Sequence, residues 1–238
     1  MCGRYGRWSD PEWLIEEFSD LQLPAIPFPP TYNAAPQSQQ PVLRLNSHTG
    51  QPELVPMRWG LIPFWAGPGA FNRLTFNARA EELSQKPTFR DALKSRRCLV
   101  PADVFYEWRR SEKQKQPFAI AFTNQRPFAF AGLWDKWKAE DGTPIESFTI
   151  TTTISNSLME PLHDRMPCIL ARSEYRRWLE PNDPARPPVD LLRPYTPERM
   201  HCWPVDQRVG NVRNDDQRLI EPLSPAPVPS PNLSLFPD

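Results

Sequence analysis

The chain has 238 residues with 28 basic and 28 acidic side chains, so its formal net charge is zero. Bulk charge therefore gives no support for a nucleic-acid partner, and any such site has to be a local patch. No apolar run approaches the roughly 18 residues needed to span a membrane, and Arg4, Arg7 and Asp10 interrupt the start, so no signal peptide and a soluble, cytoplasmic protein are expected.

The elements follow in chain order. SDPEWLIEEF, with a polar cap, proline in the first turn and early acidic residues, predicts a helix. The proline-dense LQLPAIPFPPTYNAAP reads as a loop laid over the surface. PVLRL, ELVPMRW, RCLVPADVFYEW, PFAIAF, RPFAFAGLW and ESFTITTT are rich in β-branched and aromatic residues and predict strands. KPTFRDALKSRR places Phe89, Ala92 and Leu93 at helical spacing. AEDGT signals a hairpin, and ARSEYRRWLE carries Tyr175, Trp178 and Leu179 on one helical stripe. The 31 prolines argue for many irregular connections and against long helices. Many strands with a few short helices give an α+β fold around an antiparallel, barrel-like β core. One domain is expected over residues 1–221. The Pro/Ser-rich, nearly uncharged residues 222–238 read as a disordered or extended tail.

Cysteine usage is sparse. Cys2, Cys98, Cys168 and Cys202 are scattered without a C-x-x-C pair, so no metal site is expected. Cys98 and Cys168 lie in apolar runs and read as buried, inert thiols. Cys2 differs, because a small second residue permits removal of Met1. The terminus would then present an amine and a thiol on adjacent carbons, groups that ordinarily titrate near pH ~8 and ~8.5. Such an aminothiol can capture an aldehyde as a five-membered ring, although many proteins carry a small second residue without consequence.

Three further stretches carry polar groups. In TFNARAEE, Asn77 offers donor and acceptor, and Arg79 offers a fork suited to phosphate or carboxylate; a turn with a surface ion pair fits equally well. In VPADVFYEW, Glu107 between aromatics suits proton transfer if its strand buries it, or pairs with Arg109 or Arg110 if it faces solvent. In EPLHDRMPCIL, His163 beside Asp164 and Arg165 is a candidate acid/base, or one member of a loop hydrogen-bond network. WGLIPFWAGPGAFNRLTFNARAEE flanks Asn77 with tryptophans and arginines, the pairing a single-stranded nucleic-acid groove uses.

Together MCGRY, YNAAP at 32–36, MRWGLIPFW at 57–65, NARAEE at 77–82, VPADVFYEW at 100–108, TTTISN at 151–156 and HDRMP at 163–167 resemble the SRAP family, the SOS response-associated peptidases. Where the family usually reads NARSET and GFYEW, this chain has Ala80, Glu82 and Val104. The resemblance implies that Cys2, once Met1 is removed, attacks the ring-opened aldehyde of an abasic site in single-stranded DNA and closes to a thiazolidine. It implies that Asn77 positions the amine and sugar, that Glu107 assists proton transfer, and that His163 promotes sugar opening and strand-cleaving or reversal steps. Gly3, Arg4, Arg79 and Arg165 would line the DNA, with Trp59, Trp65 and Trp108 supporting or stacking on it. The implied protein is a monomer that needs no cofactor, acts at gaps or 3′ junctions, and in a bacterium would associate with the nucleoid. An N-terminal-nucleophile hydrolase or autopeptidase, and a non-covalent reader of single strands or modified bases, are the alternatives.

Overall fold

The apolar segments between turn formers do pair as strands, in two sheets. The computed structural model describes residues 2–14, 16–21, 28–72, 75–110, 115–181 and 183–223. The first sheet is antiparallel and contains β1 (Tyr5–Arg7), β2 (Thr31–Ala34), β7 (Val104–Arg110), β8 (Lys115–Phe122) and β13 (Met200–Pro204), in the order β13-β8-β7-β1-β2. The second contains β3 (Gln39–Leu45), β4 (Pro52–Trp59), β6 (Arg97–Ala102), β9 (Phe128–Lys138) and β10 (Pro144–Ile154), with short β5 (Asn77–Arg79), β11 (Arg165–Pro167) and β12 (Ile169–Leu170). Pairings run β10 to β4, β4 to β3, β3 to β6, β6 to β9 and β9 back to β10, so five strands close into a barrel. Closure removes the open edges that would otherwise invite pairing with another chain. The expected antiparallel barrel is present, with one addition: β10 runs parallel to both β4 and β5.

Alternation along these strands separates two cores. Val42, Cys98, Val100, Phe130, Phe148 and Ile150 join Cys2, Tyr5, Trp59 and Phe105 in one cluster. Leu43, Leu99, Ala129, Ala131 and Leu133 face the other way, against Phe89, Leu93, Tyr175 and Trp178 of the two α-helices among the described residues, α1 (Pro87–Ser95) and α2 (Tyr175–Leu179). At Gly132, where β9 bridges β6 and β10, a Cβ would lie 2.9 Å from Cys98 Sγ and 3.1 Å from Thr149 O, so the barrel wall leaves no room for a side chain. The AEDGT hairpin joins β9 to β10, and Gly142 takes φ +86° there.

Three expectations need adjustment. Among its described residues SDPEWLIEEF forms a 3-10 turn, Pro11–Leu14, and buries Leu14 and Phe18 in the second core. RCLVPADVFYEW is two strands. At Asp103 the chain leaves one sheet for the other, with its N–H donated to Gly6 O and its carboxylate accepting from Trp8 and Ser9 N–H. ARSEYRRWLE begins as a 3-10 turn, Arg172–Glu174, before its five-residue helix. Arg97 fixes both helix ends: its buried guanidinium donates to Leu93 O, Lys94 O, Trp178 O and Glu180 O. Burial pushes its pKa down to about 10. No helix among the described residues is long and apolar enough to cross a membrane. The tail expected from residue 222 lies outside the described residues beyond 223.

Candidate active site at the N-terminal segment

The register of β1 sets the position of the chain's beginning. Tyr5 pairs with Phe105 and Gly6 with Val104, and Tyr106 N–H donates to Arg4 O. Extended two residues, this antiparallel register brings Gly3, which is half-buried, abreast of Glu107. Cys2 is fully buried, and its Sγ lies 3.6 Å from Arg4 O. Its thiol is pushed up to about 12, first by burial and then by the nearby negative charge of Glu107, so it stays protonated at neutral pH. Glu107 is itself buried and shares the face of β7 that Phe105 presents to the barrel core. The inward reading of this residue is therefore the one the fold adopts.

Asn77 reaches the same place from another element. β5 lies parallel to β10 with Asn77 opposite Ile150, and Asn77 Nδ2 donates to Cys2 O at 2.8 Å. Its Oδ1 is sequestered from solvent with no hydrogen-bond partner, which leaves an acceptor for an added N–H or O–H group beside Cys2.

His163 ends a turn anchored by Asn156, whose carbonyl accepts from Met159 and Glu160 N–H. Its neighbours Met159, Leu162 and Met166 belong to the cluster that holds Cys2. His163 Nδ1 lies 3.0 Å from Arg165 N and 2.7 Å from Asp164 Oδ1, so it can accept from the amide or donate to the carboxylate, but not both.

The arginines divide. Arg4 is internally engaged, donating to Asn33 Oδ1 (2.9 Å), Val209 O (2.8 Å) and Gly210 O (3.1 Å). Arg165 makes a two-pronged pair with Glu81 at 2.9 and 3.2 Å and donates to Thr152 O at 2.6 Å. Arg79 has a side chain 54% exposed and a single long contact to Glu82 at 3.5 Å.

The tryptophans divide as well. Trp59 is fully buried, donates to Phe76 O and stacks on Phe148, so it supports the core and offers no free face. Trp108 alternates away from Glu107 and packs in a third cluster with Val205 and Val209. Trp65 is 52% exposed, and Phe64 and Phe71 of the same loop are exposed as well. Their loop is pinned by Arg58, which donates to Gly60 O and Phe71 O, with its guanidinium 4.4 Å from the Phe71 ring centre. The fold thus gathers Cys2, Gly3, Asn77 and Glu107, and places His163 and Arg165 on a turn and strand that pack into the same core. Trp59 stays inside that core without a free face, and Trp108 is turned away into the third cluster.

Two structural residues were not singled out in the sequence. Asn33, in YNAAP, donates to Val209 O, Asn211 O and Asn214 O, and Asp215 accepts from Tyr32 N–H and Thr31 Oγ1. Asn33 and Arg4 together latch the N-terminal strand to the turn over 209–214. Asn33 lies in β2, within the stretch read as a surface loop, and nothing local to it marked the latch. Among the described residues no three His, Cys, Asp or Glu side chains come together in a metal-binding group.

Residues 1–212 match the family described as SOS response associated peptidase (SRAP). The abasic site processing protein YoqW of Bacillus subtilis is 42% identical over 224 residues, covering 93% of this chain and 99% of that one. The abasic site processing protein HMCES of Xenopus tropicalis is 33% identical, covering 87% of this chain and 70% of that one. A crystal structure of a Bacteroides thetaiotaomicron protein superposes with a TM-score of 0.83 at 26% identity, covering 94% of this chain and 100% of that one. A Bordetella bronchiseptica protein gives 0.74 at 28%, covering 86% and 100%. The chain belongs to the SRAP family.

Proposed function

We propose that this protein processes abasic sites in single-stranded DNA by forming a covalent thiazolidine through Cys2 after loss of Met1, shielding the lesion during the DNA damage response. One observation carries the reading. A buried thiol at the second residue has the carboxyl of Glu107 as its electrostatic neighbour, and its backbone is held by Asn77 Nδ2 at 2.8 Å. Relatives that include YoqW and HMCES bear names describing abasic-site processing, and an abasic sugar in its open form is an aldehyde.

The Cys2 nitrogen, freed as an amine, attacks the aldehyde carbon. The carbinolamine loses one water to give an imine, and the sulfur then adds to the imine carbon. The thiol proton passes to the Glu107 carboxylate and on to the ring nitrogen, so the adduct is protein plus DNA minus one water. Because the thiol is held protonated, the amine step comes first and Glu107 serves the second. His163 serves as the acid that donates a proton toward the sugar ring oxygen as the ring opens. Asn77 Oδ1 takes the amine or sugar hydroxyl that its position awaits. Fixing amine, thiol and carboxyl in one place supplies several kcal/mol through orientation alone. Arg79, with Trp65 on the exposed loop, would carry the strand, and lyase-type cleavage would follow where the imine persists.

Denaturing gels with an abasic oligonucleotide test this. Wild type gives a heat-stable adduct, Glu107→Gln and His163→Ala give it more slowly, and Cys2→Ala gives none. The peptidase implied by the family description is a second reading of the same residues: Cys2 and Glu107 would release Met1 without an external enzyme. Mass analysis in an aminopeptidase-deficient host separates the two, since autoprocessing still removes Met1 there.

A further inference from the structure

A second concave site lies away from the N-terminal segment. The turn between β8 and β9, the segment Leu170–Tyr175 and the stretch before β13 enclose a cavity of about 430 Å³. Arg126, Arg172 and Arg199 each come to it from a different segment, and none of its lining residues is acidic. That is unusual in a chain of zero net charge. Cavities elsewhere bring a carboxylate with their cations: Asp215 beside Arg7, Asp135 beside Arg96 and Arg97, Glu146 beside Lys136. Arg172 has a partner in Glu16 at 2.8 Å. Arg126 and Arg199 have no carboxylate within ion-pair distance among the described residues.

The same cavity has an aromatic side. Tyr195 stacks on Phe122 with ring centres 4.7 Å apart and planes at 17°. Tyr195 is fixed from behind, because Asn156 Nδ2 donates to its carbonyl at 2.7 Å. Thr123, Asn124 and Ser173 add hydroxyl and amide groups to the rim. Guanidinium forks match phosphate oxygens two at a time, an aromatic plane accepts a base face, and the volume lies within the range of small-ligand sites.

We propose that this cavity binds a nucleotide carrying a terminal phosphate, with Arg126 and Arg199 on the phosphate and the Tyr195–Phe122 pair beside the base. The phosphate belongs either to a free mononucleotide or to the end of a nucleic-acid strand. The site is separate from Cys2, Asn77, Glu107 and His163 and does not depend on the reading of those residues.

Titration calorimetry on the full chain tests it with deoxyadenosine 5′-monophosphate, deoxyadenosine and inorganic phosphate. The nucleotide binds more tightly than either fragment, and the Arg126→Gln/Arg199→Gln variant loses at least about tenfold in affinity, the loss expected from removing charge-assisted pairs. Both arginines are exposed, so the variant folds, and its adduct formation at Cys2 is unchanged. Displacement of the bound nucleotide by a 5′-phosphorylated but not a 5′-hydroxyl oligonucleotide assigns the phosphate to a strand end; failure of both to displace it assigns it to a free nucleotide. No nucleotide binding at millimolar concentration, or equal binding by the double variant, overturns the proposal.

Discussion

The N-terminal segment and the loop from Pro63 to Phe71 are both expected to meet DNA, and the fold treats them in opposite ways. Cys2, Tyr5 and Glu107 are buried, and the backbone around them is tied by Asn77, Tyr106, Arg4 and Asn33. Phe64, Trp65 and Phe71 are largely exposed, although the backbone of their loop is held by Arg58, by Asp135 accepting from Phe64 N–H and by Trp137 Nε1 donating to Ala66 O. Bond-making groups need fixed geometry, because small misplacements are costly in rate. Stacking groups need an open face. The two arginines express the same division, Arg4 committed to the fold and Arg79 to solvent.

Substitutions sharpen this contrast, and the largest effect lies in the buried segment. Cys2→Ala removes the covalent adduct altogether on denaturing gels. Asn77→Ala, which frees the Cys2 carbonyl and deletes the orphan acceptor, slows adduct formation by about 10- to 100-fold in single-turnover assays; Asn77→Asp keeps the acceptor yet loses the donated bond and is also slow. The arginines then separate by assay. Arg4→Met loses about 2 kcal/mol of stability in urea unfolding, since its loss takes the donor from Asn33 Oδ1 and Gly210 O and leaves Val209 O with Asn33 alone. Arg79→Met leaves stability unchanged, weakens undamaged single-strand binding and lowers the salt slope by about one. Equal stability loss in both variants would break the division between them. Trp65→Ala reduces single-strand affinity by about 1–3 kcal/mol with no change in unfolding midpoint.

A smaller effect comes from pH. Cys2 and Cys168 are raised to about 12 by burial, and burial also raises the buried Tyr106. The protonated forms are those the fold stabilises. The contribution is complete below the unfolded thiol pKa of about 8.5 and fades as pH climbs toward 12. Urea midpoints therefore fall between pH 9 and 11, and less so in Cys168→Ala after normalisation to its own value at pH 7.

The middle strands were legible because β-branched and aromatic residues fill them between turn formers. Period-two alternation explains where the structure puts Trp108, which cannot share a face with Glu107, its neighbour on one strand, although the resemblance sets it against the DNA. The break at Asp103 was not legible, since it depends on Gly6, Trp8 and Ser9 arriving from a distant segment. The direction of β10 against β4 and β5 was hidden for a like reason, because local pattern carries no sign for long-range pairing. The site residues Cys2, Asn77, Glu107 and His163 could be named from their motifs, but alternation alone left Glu107 facing either way. The structural role of Arg4 was not legible, because its acceptors, Val209 O and Gly210 O, lie some two hundred residues along the chain.

Intact-mass analysis of the purified protein, with and without an abasic oligonucleotide, tests the central claim most directly. The account predicts a chain lacking Met1 and a product equal to the sum of protein and oligonucleotide less one water, mapping to Cys2. A product that retains Met1, keeps that water, or maps to another residue would contradict it.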